Sequence, residues 1–225
     1  MIGKGLSREA LLRLLSAHAP SQPTTLCPEL VAWSATDELP LWSALEQELD
    51  ERIPPPFFAI AWPGAQALAR AVLDGAIPVA GAIVADIGCG SGLAGIAAAK
   101  RGAARVIACD IDPLAVDAAI VCAVKNGVTL EGRVFDALAN PSLVDEATVI
   151  LAGDLVYNET MGAQLKTAVP VWRERGKIVV LADSGRPFFS ACGCAPLLRY
   201  DVRVPRIVEG VSSRAVTVYG NIGQG

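Results

Sequence analysis

The 225-residue chain has a single histidine, His18. That excludes histidine-rich metal sites and removes the usual base from Ser-His-Asp or Cys-His catalysis. Positive charge is also scarce, with 19 Lys and Arg against 23 Asp and Glu, for a net charge of −4. Such a chain gains nothing from releasing counterions on a phosphate backbone, so no nucleic-acid partner is expected. No run reaches the roughly 18 apolar residues of a membrane span, so no membrane partner is expected either. Residues 1–19 carry Lys4, Arg8 and Arg13 but no apolar stretch followed by a cleavage site. Their amphipathic character also suits a mitochondrial transit peptide, against which Glu9 and the shortness of the segment argue. The six cysteines (27, 89, 109, 122, 192 and 194) lack the spacing of a secreted disulfide framework, which points to a reducing, cytoplasmic setting. The 21 glycines and 15 prolines follow no triplet period, so collagen-like and low-complexity classes are excluded.

What is present suits one large domain with an added arm: 52% hydrophobic and 19% charged residues are enough for a full core. The arm covers residues 1–56. It holds an amphipathic helix over 8–17, an extended proline-containing stretch over 19–28, and a helix over 38–51 with Trp42, Leu45 and Leu49 on one face. Pro54-Pro55-Pro56 stops any helix there.

From 57 to 225 the pattern alternates between strand and helix. Strands are predicted at 82–87, 105–109, 133–135, 148–152 and 177–181, with helices at 63–74, 92–101, 113–126 and 160–172. Residues 197–204 and 214–219 alternate apolar and polar, as half-exposed antiparallel strands do. The fold class is therefore α/β: a doubly wound, mostly parallel, seven-stranded sheet, Rossmann-like, with an N-terminal helical arm. Such sheets bind ligands beyond the carboxyl ends of their strands, which here are near Asp86, Asp110, Phe135 and Asp154.

Asp86-Ile87-Gly88-Cys89-Gly90-Ser91-Gly92 follows a strand and opens a helix. Glycines at 88, 90 and 92 let the backbone pass close to a ligand with no Cβ in the way, and the helix behind them offers free N–H groups. Cys89 reads as a small residue in a turn rather than as a nucleophile. Asp110 ends the next strand, where a carboxylate accepts hydrogen bonds from both ribose hydroxyls. Two cofactors use this arrangement. A literal G-x-G-x-x-G at Gly90–Gly95 fits a nicotinamide dinucleotide, but its first glycine lies beyond Asp86 and Gly88 instead of directly after the strand. An acid at the strand's own end sits badly against a pyrophosphate and well against the ammonium of S-adenosyl-L-methionine. The D-x-G-x-G-x-G pattern resembles motif I of the class I, seven-strand methyltransferases. That resemblance implies S-adenosyl-L-methionine as cofactor and gives Asp136, after the third strand, a bond to the adenine amino group. Trp62 offers an aromatic face to a sulfonium cation. The alternatives are a loop cap for Asp136 and a core position for Trp62.

After the fourth strand, Asp154-Leu155-Val156-Tyr157-Asn158-Glu159 has the D-x-x-Y spacing of nucleic-acid amino methyltransferases without their prolines. A carboxylate beside an aromatic ring suits an amine acceptor; Asp154 could equally cap the following helix. The segment Pro54–Arg70, the arm's Cys27-Pro28-Glu29 and Pro40-Leu41-Trp42, the acceptor loop, and Ala182-Asp183-Ser184-Gly185-Arg186-Pro187 resemble the electron-transfer flavoprotein β-subunit lysine methyltransferases. Ser184 replaces that family's usual proline, and Asn158 stands where some members have Asp. The resemblance implies methyl transfer to lysine side chains of a folded protein, with the flavoprotein β-subunit as the expected partner. On this reading Asp154 and Glu159 orient the lysine head, Tyr157 is an aromatic wall, and Trp62, Asp86, Gly88, Gly90, Gly92, Asp110 and Asp136 hold the cofactor. No metal is implied. A small-molecule or nucleic-acid N-methyltransferase of the same fold is the alternative.

Overall fold

The computed structural model describes residues 6–35, 37, 39–206 and 210–223. Part of the 1–19 start, residue 38 and the last two residues of the chain lie outside them. The arm begins with α1 (Arg8–His18), capped where Ser7 Oγ accepts from the Ala10 N–H at 3.2 Å, and buries Leu11 and Leu15. The predicted extended stretch is one strand of a small hairpin, β1 (Ser21–Pro23) against β2 (Val31–Trp33). Three residues per strand are too few to show a period, which is why the pairing was not foreseen. The hairpin is held by side chains: Trp33 Nε1 donates to Ala118 O at 3.0 Å, and the Asn126 amide brackets the Val31 backbone at 3.0 and 2.8 Å. α2 (Leu39–Leu49) buries Leu41 and Leu45. It ends before the triple proline, next to Asp50 in the left-handed region at φ 55°.

The rest alternates as expected. α3 (Pro63–Leu73) opens on a proline whose missing N–H costs nothing at a first turn. Then follow β3 (Ile83–Ile87), α4 (Leu93–Lys100), β4 (Arg105–Asp110), α5 (Pro113–Lys125), β5 (Glu131–Val134), β6 (Val149–Gly153), α6 (Glu159–Glu174), β7 (Ile178–Asp183), β8 (Ala195–Arg203) and β9 (Ser213–Gly220). The main sheet runs β5-β4-β3-β6-β7-β9-β8. Its first five strands are parallel, and β9 inserts antiparallel between β7 and β8.

Alternate residues of each strand feed two apolar layers. Val84, Val149, Leu151 and Val180 pack with α3, α4, α5 and the arm's Leu11, Leu30, Trp33 and Leu45. Ala85, Ile87, Ile150, Val179 and Leu181 pack against Leu165, Val169 and Trp172 of α6. The arm is thus part of the main core, with no packing boundary at residue 56. All six cysteines are free, and burial pushes the Cys27 thiol up to about 12. No helix among the described residues is long and apolar enough to cross a membrane.

Candidate active site at the carboxyl ends of the strands

The glycine loop joins β3 to α4, and its three glycines do different work. At Gly90 (φ 50°) a Cβ would be in ordinary contact with Phe58 Cα, at 3.9 Å, and would meet nothing closer. The segment 57–59 therefore runs across the loop. At Gly92 (φ 77°) a Cβ would sit 2.9 Å from Ala119 Cβ, so this glycine lets α4 start tight against α5. At Gly88 a Cβ would collide with Leu155 Cδ1. The three glycines thus differ in what surrounds them: a Cβ at Gly88 would meet Leu155, one at Gly92 would meet Ala119, and one at Gly90 would touch only Phe58 Cα.

The acids behave likewise. Asp86 is 3% exposed, and its Oδ2 accepts from the Gly95 N–H at 2.8 Å. Burial raises its pKa from 3.8 to about 7. It braces the first turn of α4 from beneath the loop, so direct contact with a ligand ammonium is not its geometry here. Asp110 lies at the loop's open side. Its Oδ2 accepts from the Gly90 N–H at 3.1 Å and its Oδ1 from Asp112 N at 3.1 Å. Burial raises its pKa against the pull of these N–H groups. Asp136 accepts from Leu138 N at 3.0 Å and Ala139 N at 2.9 Å, so it is a loop cap at the end of β5, with Gln164 Nε2 at 3.4 Å.

Asp154 is the largest departure from expectation. Its side chain is 2% exposed. Oδ2 accepts from Gly64 N at 2.6 Å; Oδ1 accepts from Ser184 N at 3.1 Å and Ser184 Oγ at 2.8 Å, with Arg186 Nε 3.9 Å away. Burial raises its pKa, opposed by these donors and by Arg186. It caps α3 rather than the helix that follows it; Asn158 Oδ1 caps α6 through Met161 N at 2.9 Å. In this structure both of its oxygens are engaged by protein donors, the geometry of a residue that positions neighbouring segments. It holds the acceptor loop, the start of α3 and the 183–187 segment together at φ 48°, a costly backbone for a residue with a Cβ.

Trp62 also has a protein partner in place of the expected cation. Its Nε1 donates to Phe57 O at 2.9 Å, and the Arg186 guanidinium lies 5.5 Å from its ring centre. Phe57 joins Trp62 edge-on (5.9 Å) to Tyr157 (6.1 Å). Tyr157 is 57% exposed, and its pKa is raised by partial burial and then by the charges of Asp110 and Asp112. Glu159 is exposed in the first turn of α6. The structure thus brings Gly90, Asp110, Tyr157, Phe57 and Trp62 to one mouth and turns Asp86, Gly88, Gly92 and Asp154 into its frame. Phe57, Leu155 and Arg186 were not singled out from the sequence. All lie in quoted segments, but their roles depend on partners far along the chain.

The profile of the ribosomal protein L11 methyltransferase (PrmA) family matches residues 67–160. An electron transfer flavoprotein beta subunit lysine methyltransferase of Xenopus laevis is 36% identical over 151 residues, covering 64% of this chain and 58% of that protein. The protein of the same description from Danio rerio is 38% identical over 137 residues, covering 60% and 53%. The chain therefore spans little more than half the length of these curated relatives. Among solved structures, a putative RNA methyltransferase from Pyrococcus horikoshii superposes with a TM-score of 0.53 at 18% identity, covering 80% of this chain and 96% of that one. That likeness shows the fold: a doubly wound, mostly parallel seven-stranded sheet.

Proposed function

We propose that this chain, a relative of the electron transfer flavoprotein beta subunit lysine methyltransferases, is an S-adenosyl-L-methionine-dependent protein-lysine N-methyltransferase. The observation that carries the reading is the position of Tyr157. One ring stands close enough to Asp110 and Asp112 to feel their charge and also touches Phe57 of the aromatic mouth, so the nucleotide end and the acceptor end share a wall.

The residues present fit the cofactor. Gly90 keeps its backbone free of a Cβ beside Phe58, and the α4 N-terminus follows two residues on. Asp110 is placed to accept from ribose hydroxyls once its bond to Gly90 is exchanged. Asp136 stays the expected partner of the adenine amino group while capping its loop. When bound, S-adenosyl-L-methionine supplies an activated methyl on a sulfonium, so the protein has mainly to align and desolvate the acceptor. Phe57, Trp62 and Tyr157 form an apolar, ring-lined approach suited to the long stem of a lysine, and Glu159, exposed in the first turn of α6, is the expected partner of the ammonium. The amine must be neutral to attack, and with a reference pKa near 10.4 only about one lysine in a thousand is neutral at pH 7. A desolvated approach favours that form.

The sequence likeness supports the flavoprotein β-subunit as substrate, and the six free cysteines support a cytoplasmic site of action. The match of residues 67–160 to the ribosomal protein L11 family favours a second reading, a ribosomal-protein acceptor. The test is labelling. With methyl-labelled S-adenosyl-L-methionine, a lysate lacking the gene should give one dominant labelled protein, the flavoprotein β-subunit, methylated on lysine by mass spectrometry. Label on a ribosomal protein selects the second reading; label confined to RNA or small molecules overturns both.

A further inference from the structure

The main sheet ends on β8, which has a strand neighbour on one side only, β9. Along β8, Leu198 and Tyr200 pack against the core and Val202 is buried in it, while Arg199, Asp201 and Arg203 are exposed. Side chains alternate across a strand, so these three charges share the opposite face. Among the described residues, no ion pair or hydrogen bond engages the side chain of Arg199 or Asp201.

The ladder shows which main-chain groups are free. The Val204 N–H donates to Ser212 O at 3.1 Å, and the register runs unbroken from Leu198 opposite Val218 to Arg203 opposite Ser213. Hydrogen-bonded pairs alternate with non-bonded ones in an antiparallel ladder, so Val202, Tyr200 and Leu198 direct their N–H and C=O groups to β9. Those of Arg199, Asp201 and Arg203 point away from the sheet. The arm takes one of them, where Thr25 Oγ1 donates to Arg203 O at 2.9 Å. The groups of Arg199 and Asp201 form an open edge, of the kind that pairs with another strand.

Charge of one sign closes such an edge to pairing. Here the signs alternate as Arg-x-Asp-x-Arg, and an antiparallel second copy presents them in reverse. With Tyr200 opposite Tyr200 on a twofold axis, Arg199 faces Asp201 of the second copy and Asp201 faces Arg199 of the second copy. The same two residues carry the free N–H and C=O groups, so each facing pair is also a main-chain hydrogen-bonded pair. Moving the axis to Arg199 sets that arginine against itself. Moving it to Asp201 sets aspartate against aspartate and Arg199 against Arg203. Charge therefore selects the register. Leu197 then comes opposite Arg203 of the second copy, and with Thr217 and Tyr219 it lines a shallow hollow that can take the apolar stem of that arginine.

We propose that β8 is a dimerisation edge: two copies of this chain pair their β8 strands antiparallel about a twofold axis at Tyr200, joining their sheets into one. The interface is isologous, so each off-axis contact occurs twice. In the sheet β8 lies three strands beyond β6, so each copy keeps its own mouth, and the pairing does not depend on which acceptor is methylated.

The test is charge reversal read by sedimentation velocity. Wild-type protein at concentrations on the order of 100 μM should sediment with twice the mass of one chain. Arg199→Asp and Asp201→Arg, each alone, set like charges against each other in both pairs. Each should weaken the dimer by about tenfold or more, with an unchanged circular dichroism spectrum because both side chains are exposed. The double variant Arg199→Asp/Asp201→Arg restores opposite charges in every pair, and so does an equimolar mixture of the two single variants. Both should sediment as dimers. Wild-type protein that keeps the mass of one chain overturns the proposal. So does a dimer that the single reversals leave unchanged, since it uses another surface. Single variants that stay apart when mixed overturn the register at Tyr200.

Discussion

The two ends of the site are built on opposite principles. At the ends of β3 and β4, the elements that shape the cofactor side lie close in sequence: the loop 86–92, the α4 N-terminus and Asp110, which reaches back to Gly90. At the ends of β6 and β7, Asp154 is spent on Gly64, ninety residues earlier, and on Ser184, thirty residues later. A local motif can be read where its geometry is local. Where a side chain's partners arrive from other elements, the same kind of motif does not reveal them.

The sharpest way to break this comparison is within the loop itself. Gly90→Val should cost at least a thousandfold in S-adenosyl-L-methionine affinity, about 4 kcal/mol, with the domain still folded by circular dichroism. Gly92→Val should instead unfold the domain, because its side chain would enter Ala119. Calorimetry beside circular dichroism separates the two, and equal behaviour would erase the distinction between a ligand-facing glycine and a packing glycine.

Asp86 gives the next effect. Its folded pKa, about 7, lies above the ordinary 3.8, so ionisation works against the fold. Its influence is absent below about pH 4, grows as pH rises, and is complete above 7. Asp86→Asn keeps an acceptor for the Gly95 N–H and should stabilise the protein at pH 8, by on the order of 4 kcal/mol, and not at pH 4. Urea unfolding at the two pH values measures this; a gain of equal size at both would mean the carboxyl is not buried as a charge.

On the acceptor side, Asp154→Ala should cost about 3 kcal/mol of stability, since it strands the Gly64 and Ser184 donors. At a temperature where the variant stays folded, cofactor affinity should remain near wild type. A stable variant that has merely lost turnover would return Asp154 to the lysine. The smallest effect is expected from Asp110→Ala, about 1–3 kcal/mol weaker S-adenosyl-L-methionine binding by calorimetry with little change in stability.

Most of the architecture was legible in advance. The apolar runs of β3, β4, β6 and β7, the glycines at helix ends and the prolines opening α3 and α5 are near-neighbour signals, and each element formed within a residue or two of its expected place. The β1–β2 hairpin was not legible, because Trp33 and Val31 are held by α5, far along the chain. Nor was the end of α2, set beside a left-handed Asp50 and not by the prolines. In the site, Gly90, Asp110 and Tyr157 lie near one another at the carboxyl ends of the strands. Trp62 does not meet open space on its ring, because Arg186 arrives there from beyond β7.

The position of β9 has a consequence for how the molecule is made. On the ribosome, β3, β4 and β5 can close the cofactor end once residue 134 is out, but β7 waits for a strand that begins at Ser213. At about 5–20 residues per second that wait is a few seconds, during which β7 carries an open edge. Asp183, in register with Thr217, is among the last positions to be enclosed. The β8–β9 pair is therefore the last part of the main sheet that synthesis completes.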